Sequence, residues 1–375
     1  MHRYAVAHAA DDWKKVTITQ DDAVAIAQRF DLMVVAPGEF AAFAPQMHAA
    51  NPLLKMLVYL NGTYLPTGQA GRYTEDQFAH TATGARVNQA LTWGNYLMNV
   101  ASPTWADSRA TLCKQLLASN GADGCYLDMM GPQALNPGYN TGRAVNPATP
   151  GKLWTWADYQ VKVKAIADAV RAANPGAPIA GNGLADGARY YAPKSSKPLL
   201  SYLDAAHAEI WLREGRSSVD NWPSLSVWQQ DVEMLADAGS TTGTPVLTQT
   251  KVWTTTATPA LIVQWHRFAL ASFLLGTDGN SWFEFSGSRT FAAVTGDSKD
   301  DRVDVGDAAG RYGRDPGGSG AYVRSFTKGY AAVNPGTSAV TVTLPIGTYR
   351  NLDGDIVTSQ TLPPHSGDVF TLVTT

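Results

Sequence analysis

Charge is scarce in this chain and does not lean to one sign. Charged residues are 16% of the 375, with 29 Lys plus Arg against 32 Asp plus Glu and a net charge of −3. A nucleic-acid backbone demands a basic excess, so no nucleic-acid partner is expected. Long apolar runs are missing too. None approaches the roughly 18 residues of a membrane helix, so no membrane partner is expected either. Cysteine is almost absent. Cys113 and Cys125 cannot build a disulfide framework, and no CxxC pair offers zinc. Placed on a helix and on the strand beside it, they read as buried thiols, with a bond between them as the lesser alternative. The seven His show no HxH or HExxH spacing, so no metal and no cofactor is expected. No apolar leader with a cleavage site is legible. The chain stays where it is made, is exported without a leader, or acts outside the cell after losing one or when carried by a phage; the last is the working expectation.

Apolar and turn-forming residues are plentiful: 45% hydrophobic, 34 Gly, 21 Pro and 11 Trp. That composition gives a folded chain with many loops. Short apolar segments at 4–8, 32–36, 55–61, 124–129, 178–183, 204–211, 245–253 and 280–286 read as strands. Amphipathic helices separate them. Thr19 with Asp22 starts one, Thr104 caps another, and Thr258-Pro259 opens the last. Eight such repeats predict a (β/α)8 TIM barrel over 1–300, with a doubly wound open sheet as the rival. After a linker at 301–320 the helical period disappears. Short segments split by NPG, PIG, DGD and PPHSG turns predict a small antiparallel β-sandwich over 321–375.

Barrel chemistry sits at the C-terminal ends of the strands, and alternation decides which residues face the axis. Strand four then turns Tyr126 and Asp128 inward. Strand six turns His207, Glu209 and Trp211 inward. Asp128 and Glu209 are therefore candidate catalytic residues: two carboxylates across one cleft, one ionised and one protonated, are what glycoside hydrolysis requires. Taken alone, a strand-end carboxylate is more often a helix cap or an ion-pair partner; the matched pair carries the reading. Tyr59, Asn61, Asn182, Gln249 and Lys251 end other strands and supply polar contacts. Trp253, Trp282 and the loop residue Trp93 supply flat walls for a sugar, although core packing is the commoner role of any one Trp; Trp13 and Tyr139, like Trp93, lie on loops, where packing explains them less easily. Glu284, on strand eight, is a third inward acid. Glu214 and Asp186 read as loop or helix-start residues. Two other readings stay open: a carbohydrate-binding barrel without catalysis, and a barrel enzyme for a phosphorylated metabolite, resting on a Ser286–Arg289 loop.

Three stretches resemble a group of glycoside hydrolase families without assigned substrate, related to the α-galactosidase-type barrels. They are residues 95–105 (NYLMNVASPTW) followed by 123–128 (DGCYLD), residues 204–209 (DAAHAE), and the tail at 322–335 and 362–367. The resemblance implies a retaining glycosidase in which Asp128 is the nucleophile and Glu209 the acid/base. The implied substrate is a poly- or oligosaccharide, with a wall or extracellular polymer such as arabinan or galactan as one candidate. The long segments after strands three and four favour a polymer over a small glycoside.

Overall fold

A computed structural model of the chain describes residues 1–90 and 93–373. Eight parallel strands close into one barrel: β1 (His2–Val6), β2 (Leu32–Val35), β3 (Lys55–Asn61), β4 (Gly124–Asp128), β5 (Ile179–Asn182), β6 (Ala205–Ala208), β7 (Val246–Lys251) and β8 (Trp282–Ser286). They neighbour one another in chain order, and β8 closes onto β1. A helix follows each strand: α1 (Gln20–Ala27), α2 (Ala44–Ala50), α3 (Pro103–Asn120), α4 (Trp156–Ala173), α5 (Gly187–Tyr190), α6 (Leu225–Thr241), α7 (Pro259–Gly276) and α8 (Phe291–Val294). The open-sheet rival is thereby removed.

Local chemistry explains the helix starts. Thr19 and Asp22 form a reciprocal capping box on α1. Thr258 caps α7, with Pro259 where its missing N–H costs nothing. The start of α3 differs from expectation: its N-cap is Ser102 and Pro103 takes the first turn, so Thr104 lies inside the helix and shares a 2.9 Å hydrogen bond with Ser102 Oγ. Gly121 ends α3 in the left-handed conformation that a side chain resists.

Alternation splits the strand residues between two cores. Tyr4, Val6, Leu57, Tyr126, Ala180 and Leu247 fill the barrel interior. Val58, Cys125, Leu127, Ile179 and Ala206 face the helix layer. There Cys113 on α3 and Cys125 on β4 are joined as a disulfide rather than left as thiols. The helix packs its buried face on the strand, which brings the two Cα atoms within bonding reach at 6.1 Å.

The tail forms a six-stranded antiparallel sheet with a two-stranded ladder, Val340–Thr343 against Ser359–Leu362, set against it. Ala332, Tyr349 and Phe370 of the sheet share a core with Val342 and Leu362 of the ladder. Two residues of the expected linker, Gly313–Arg314, pair with Tyr322–Phe326 and so join the sheet before residue 321. Residues 374 and 375 lie outside the described residues. The sandwich docks on α7 and the loop before α6: His365 stacks on Trp222, which stacks on Trp265 at 3.6 Å.

Candidate active site

The C-terminal ends of β3, β4 and β5 carry the first layer of the site. Register sets Asn61 opposite Asp128 and Asn182 opposite His207. Four donors converge on the Asp128 carboxylate. Tyr59 Oη donates at 2.8 Å and Asn61 Nδ2 at 3.3 Å to Oδ2; Asn182 Nδ2 donates at 2.9 Å and the Met129 amide at 2.8 Å to Oδ1. Met129 takes φ 62°, a left-handed turn uncommon for a side chain, directly after Asp128.

The same Asn182 Nδ2 donates to Glu209 Oε2 at 2.7 Å. One amide thus bridges both carboxylates, and its two legs hold those oxygens within about 5.6 Å of each other. The other Glu209 oxygen accepts from Lys251 Nζ at 2.9 Å. Lys251 beside it holds the Glu209 carboxyl down to about 2, against burial, which pulls the other way. Burial pushes the Asp128 carboxyl up, and the Glu209 charge adds to that; the donors from Tyr59 and Asn182 oppose it. The two carboxyls are thus pushed in opposite directions, Glu209 down and Asp128 up.

The carboxylates open into a cavity of about 400 Å³. Tyr126 and His207 form its floor, hydrogen-bonded to each other through Oη and Nδ1. Burial lowers His207 to about 3 and His8 to about 4, so both imidazoles are neutral at physiological pH. Gln249, Lys251 and Trp253 come from β7 and the loop beyond it. Trp253 lies between two cations, Lys251 at 4.8 Å and Arg289 at 5.1 Å from its ring centre, and its Nε1 donates to Ser286 Oγ. Trp93 stands at the rim, 63% exposed. Tyr59, Asn61, Trp93, Tyr126, Asn182, His207, Gln249, Lys251 and Trp253 therefore all line the same cavity as Asp128 and Glu209.

Three expected contacts lie elsewhere. β6 stops at Ala208, so alternation no longer governs the residues after it. Trp211 instead enters the helix layer, fully buried, with Nε1 donating to the Asp231 carbonyl on α6. Trp282 is the first residue of β8, at the opposite mouth of the barrel, where it stacks on His2. Glu284 does point inward but too deep: it is 4% exposed, opposite Gln249, and off the cavity wall. Neither of its oxygens makes a hydrogen bond of ordinary geometry among the described residues, although Ser286 and Gln249 lie close enough to oppose the rise, and burial raises its carboxyl to about 8.

Other residues join the wall, among them the loop aromatic Tyr139. His8 stacks on Tyr59 at 4.5 Å; the inward series Tyr4, Val6, His8 could have identified it. Gln89, Asn95 and Tyr139 come from the two long segments after β3 and β4, which are knit together by Gln89 Nε2 donating to Tyr139 Oη and Tyr64 Oη donating to Asn140. Glu214 and Arg216 also line the cavity, whereas Asp186 caps α5. The Ser286–Arg289 loop is poorly suited to a phosphate. Asp11 pairs with Arg289 at 2.6 Å, and Ser286 is fully buried and off the cavity wall.

The architecture recurs in known proteins. Amy13B of Eubacterium rectale superposes with a TM-score of 0.55 at 10% identity, over 100% of this chain and 95% of that one. An α-amylase from Malbranchea cinnamomea gives 0.53 at 13% identity over 99% and 94% of the two chains. The GH36 α-galactosidase AgaA from Geobacillus stearothermophilus gives 0.52 at 12% identity over 100% and 56%. At such identities the likeness concerns the fold alone. No curated protein sequence matches the chain. A family model does, over residues 48–330, which run from α2 through the rest of the barrel into the sandwich: the chain belongs to hypothetical glycosyl hydrolase family 15, and it is a glycosidase whose substrate is a carbohydrate.

Proposed function

We propose that the protein is a retaining glycoside hydrolase acting on a poly- or oligosaccharide, with Asp128 and Glu209 as its catalytic pair. The observation that carries this reading is the Asn182 bridge. Carboxylates about 5–5.5 Å apart suit a double displacement, whereas inversion needs about 6.5–9.5 Å for a water between them. Asp128 attacks the anomeric carbon while Glu209 gives a proton to the leaving oxygen. Glu209 then takes a proton from water as that water breaks the bond to Asp128. The four donors around Asp128 suit a nucleophile, because they stabilise its anion and fix its rotamer. The Cys113–Cys125 bond supports action outside a reducing cytosol.

The charge state of the free site favours a second reading in which the roles are exchanged. Lys251, 2.9 Å from Glu209, favours the anion a nucleophile needs, and burial pushes the Asp128 carboxyl in the direction an acid needs. In the first reading the proton has to reach Glu209 once a sugar enters and loosens its contact with Lys251.

Screening poly- and oligosaccharides for released ends, with anomeric NMR of the first product, tests the reaction. Retention and loss of turnover in Asp128→Asn are the expected results. Inversion, or full activity in that variant, would overturn the proposal. A 2-fluoroglycoside trap followed by peptide mass spectrometry separates the two role assignments, since the sugar remains on the nucleophile.

A further inference from the structure

The catalytic cavity does not end at the carboxylates. Met129, Tyr139, Asn182 and Glu209 form part of its wall and also part of the wall of a second, smaller hollow beyond the β5 loop. That hollow in turn meets a third at Gln133 and Arg189. The third is the largest of them, about 660 Å³, and lies between the loop after β4 and the first turn of α4. The three hollows thus adjoin one another through shared lining side chains.

The charges change along this path. At the catalytic end acids and bases alternate: Asp128, Glu209 and Glu214 against Lys251, Arg216 and Arg289. At the distal end the lining includes Arg143, Arg189 and Lys194 and no carboxylate. Arg189 is held by Asp186 at 2.6 Å. Arg143 and Lys194 are exposed and make no ion pair among the described residues. Thr155, Trp156 and Ala157 place the N-terminus of the 18-residue α4 at the same wall, which adds a partial positive charge. The nearest acid in that turn, Asp158, turns back onto Thr155 Oγ1 at 2.8 Å. In a chain of net charge −3, a hollow whose charged lining residues are all cations, two of them unpaired among the described residues, favours a negatively charged occupant.

We propose that this groove carries the continuation of an acidic glycan, so that the enzyme cuts within a chain bearing carboxylate or sulfate groups, which Arg143 and Lys194 recognise at a distance from the scissile bond. The proposal deepens the glycoside hydrolase reading and rests on it. An acidic group on the distal sugar meets the two cations and the α4 N-terminus, while Gln133 lines the passage between the hollows.

The test uses the full chain as Asp128→Asn, to hold substrate uncut, and measures binding by calorimetry. Polygalacturonate is compared with its carboxyl-reduced form, and dextran sulfate with dextran; the two arms separate carboxylate from sulfate recognition. The expected result is binding of at least one polyanion about tenfold or more tighter than its neutral counterpart. That preference disappears on adding Arg143→Ser with Lys194→Ser, and it weakens as salt rises. Equal affinity for charged and neutral chains, binding of neither polyanion, or a preference that survives the double substitution would overturn it. Wild-type protein given the same polymers separates this inference from the reading beneath it. Binding with charge preference but no cleavage of any glycan counts against the hydrolase and leaves the groove standing. Cleavage without charge preference leaves the hydrolase and removes the groove.

Discussion

Asp128 and Glu209 are tied to the two hydrogens of a single side-chain amide, that of Asn182. Neither carboxylate can turn away without losing a bond to a residue that is itself 8% exposed and fixed at the end of β5. Replacing Asn182 with Ala frees both rotamers. A loss in kcat of about 100-fold with a smaller change in KM is expected, because misplacement of reacting groups by about 1 Å has that effect. Steady-state kinetics on any cleaved glycan check it, and an unchanged kcat would show that the bridge has no part in turnover.

Lys251 sets the charge of Glu209, so Lys251→Met changes the pH profile in a definite direction. Without the cation the Glu209 carboxyl rises from about 2. If Glu209 is the acid, activity falls above its pKa, and the basic limb of kcat/KM moves to higher pH. If Glu209 is the nucleophile, activity falls below its pKa, and the acidic limb moves up instead. A profile with both limbs unmoved would mean that the 2.9 Å contact does not govern catalysis.

Glu284 ties stability to pH. Its folded pKa, raised to about 8 by burial, lies above the value in the unfolded chain. A carboxyl raised in this way contributes fully below its unfolded pKa of about 4.3, and the contribution is lost as pH rises toward 8. Glu284→Gln keeps the shape and removes the proton, so it should stabilise by a few kcal/mol at pH 9 and by little at pH 4. Thermal melts at the two values read this directly. Asp231 and Glu39, also raised to about 8 by burial, act in the same direction in the parent chain.

Gly183, next to Asn182, has no room for a side chain. It takes φ +145°, and a Cβ there would stand 2.2 Å from the Gly131 amide nitrogen. Its three nearest neighbours, Gly131 N and Cα and Met130 C, are all backbone, so nothing flexible can yield. Gly183→Ala should destabilise by about 2–4 kcal/mol. It should also lower kcat, since the displaced loop carries the bridging amide with it. A melting temperature within one degree of the parent would contradict the packing described.

Much of this site is readable in one dimension because a parallel barrel strand has only two faces. For β3 the bounds 55–61 are those of the strand, and parity alone sends Tyr126 and Asp128 inward and Cys125 and Leu127 outward. The rule fails where the strand does. β6 ends at Ala208, Leu212 turns through φ 66°, and Trp211 departs for the helix layer. Parity also says nothing of height along the axis, which is why Trp282 and Glu284 share a face with the site yet miss the cavity. Gln89 and Asn95 were hidden for another reason. Their segments have no periodicity, and only the contacts between the two insertions place them. The Cys113–Cys125 bond likewise depends on how α3 sits on β4, a distance that composition cannot supply.

That bond has a consequence for handling the enzyme. Cys125 lies three positions ahead of Asp128 and, like Cys113, is fully buried, so the bond is set as the chain folds, beside the backbone that carries a candidate catalytic carboxylate. Protein made in a thiol-reducing host would lack a cross-link worth typically 2–4 kcal/mol, and its batches would differ in heat tolerance according to how they were oxidised after purification.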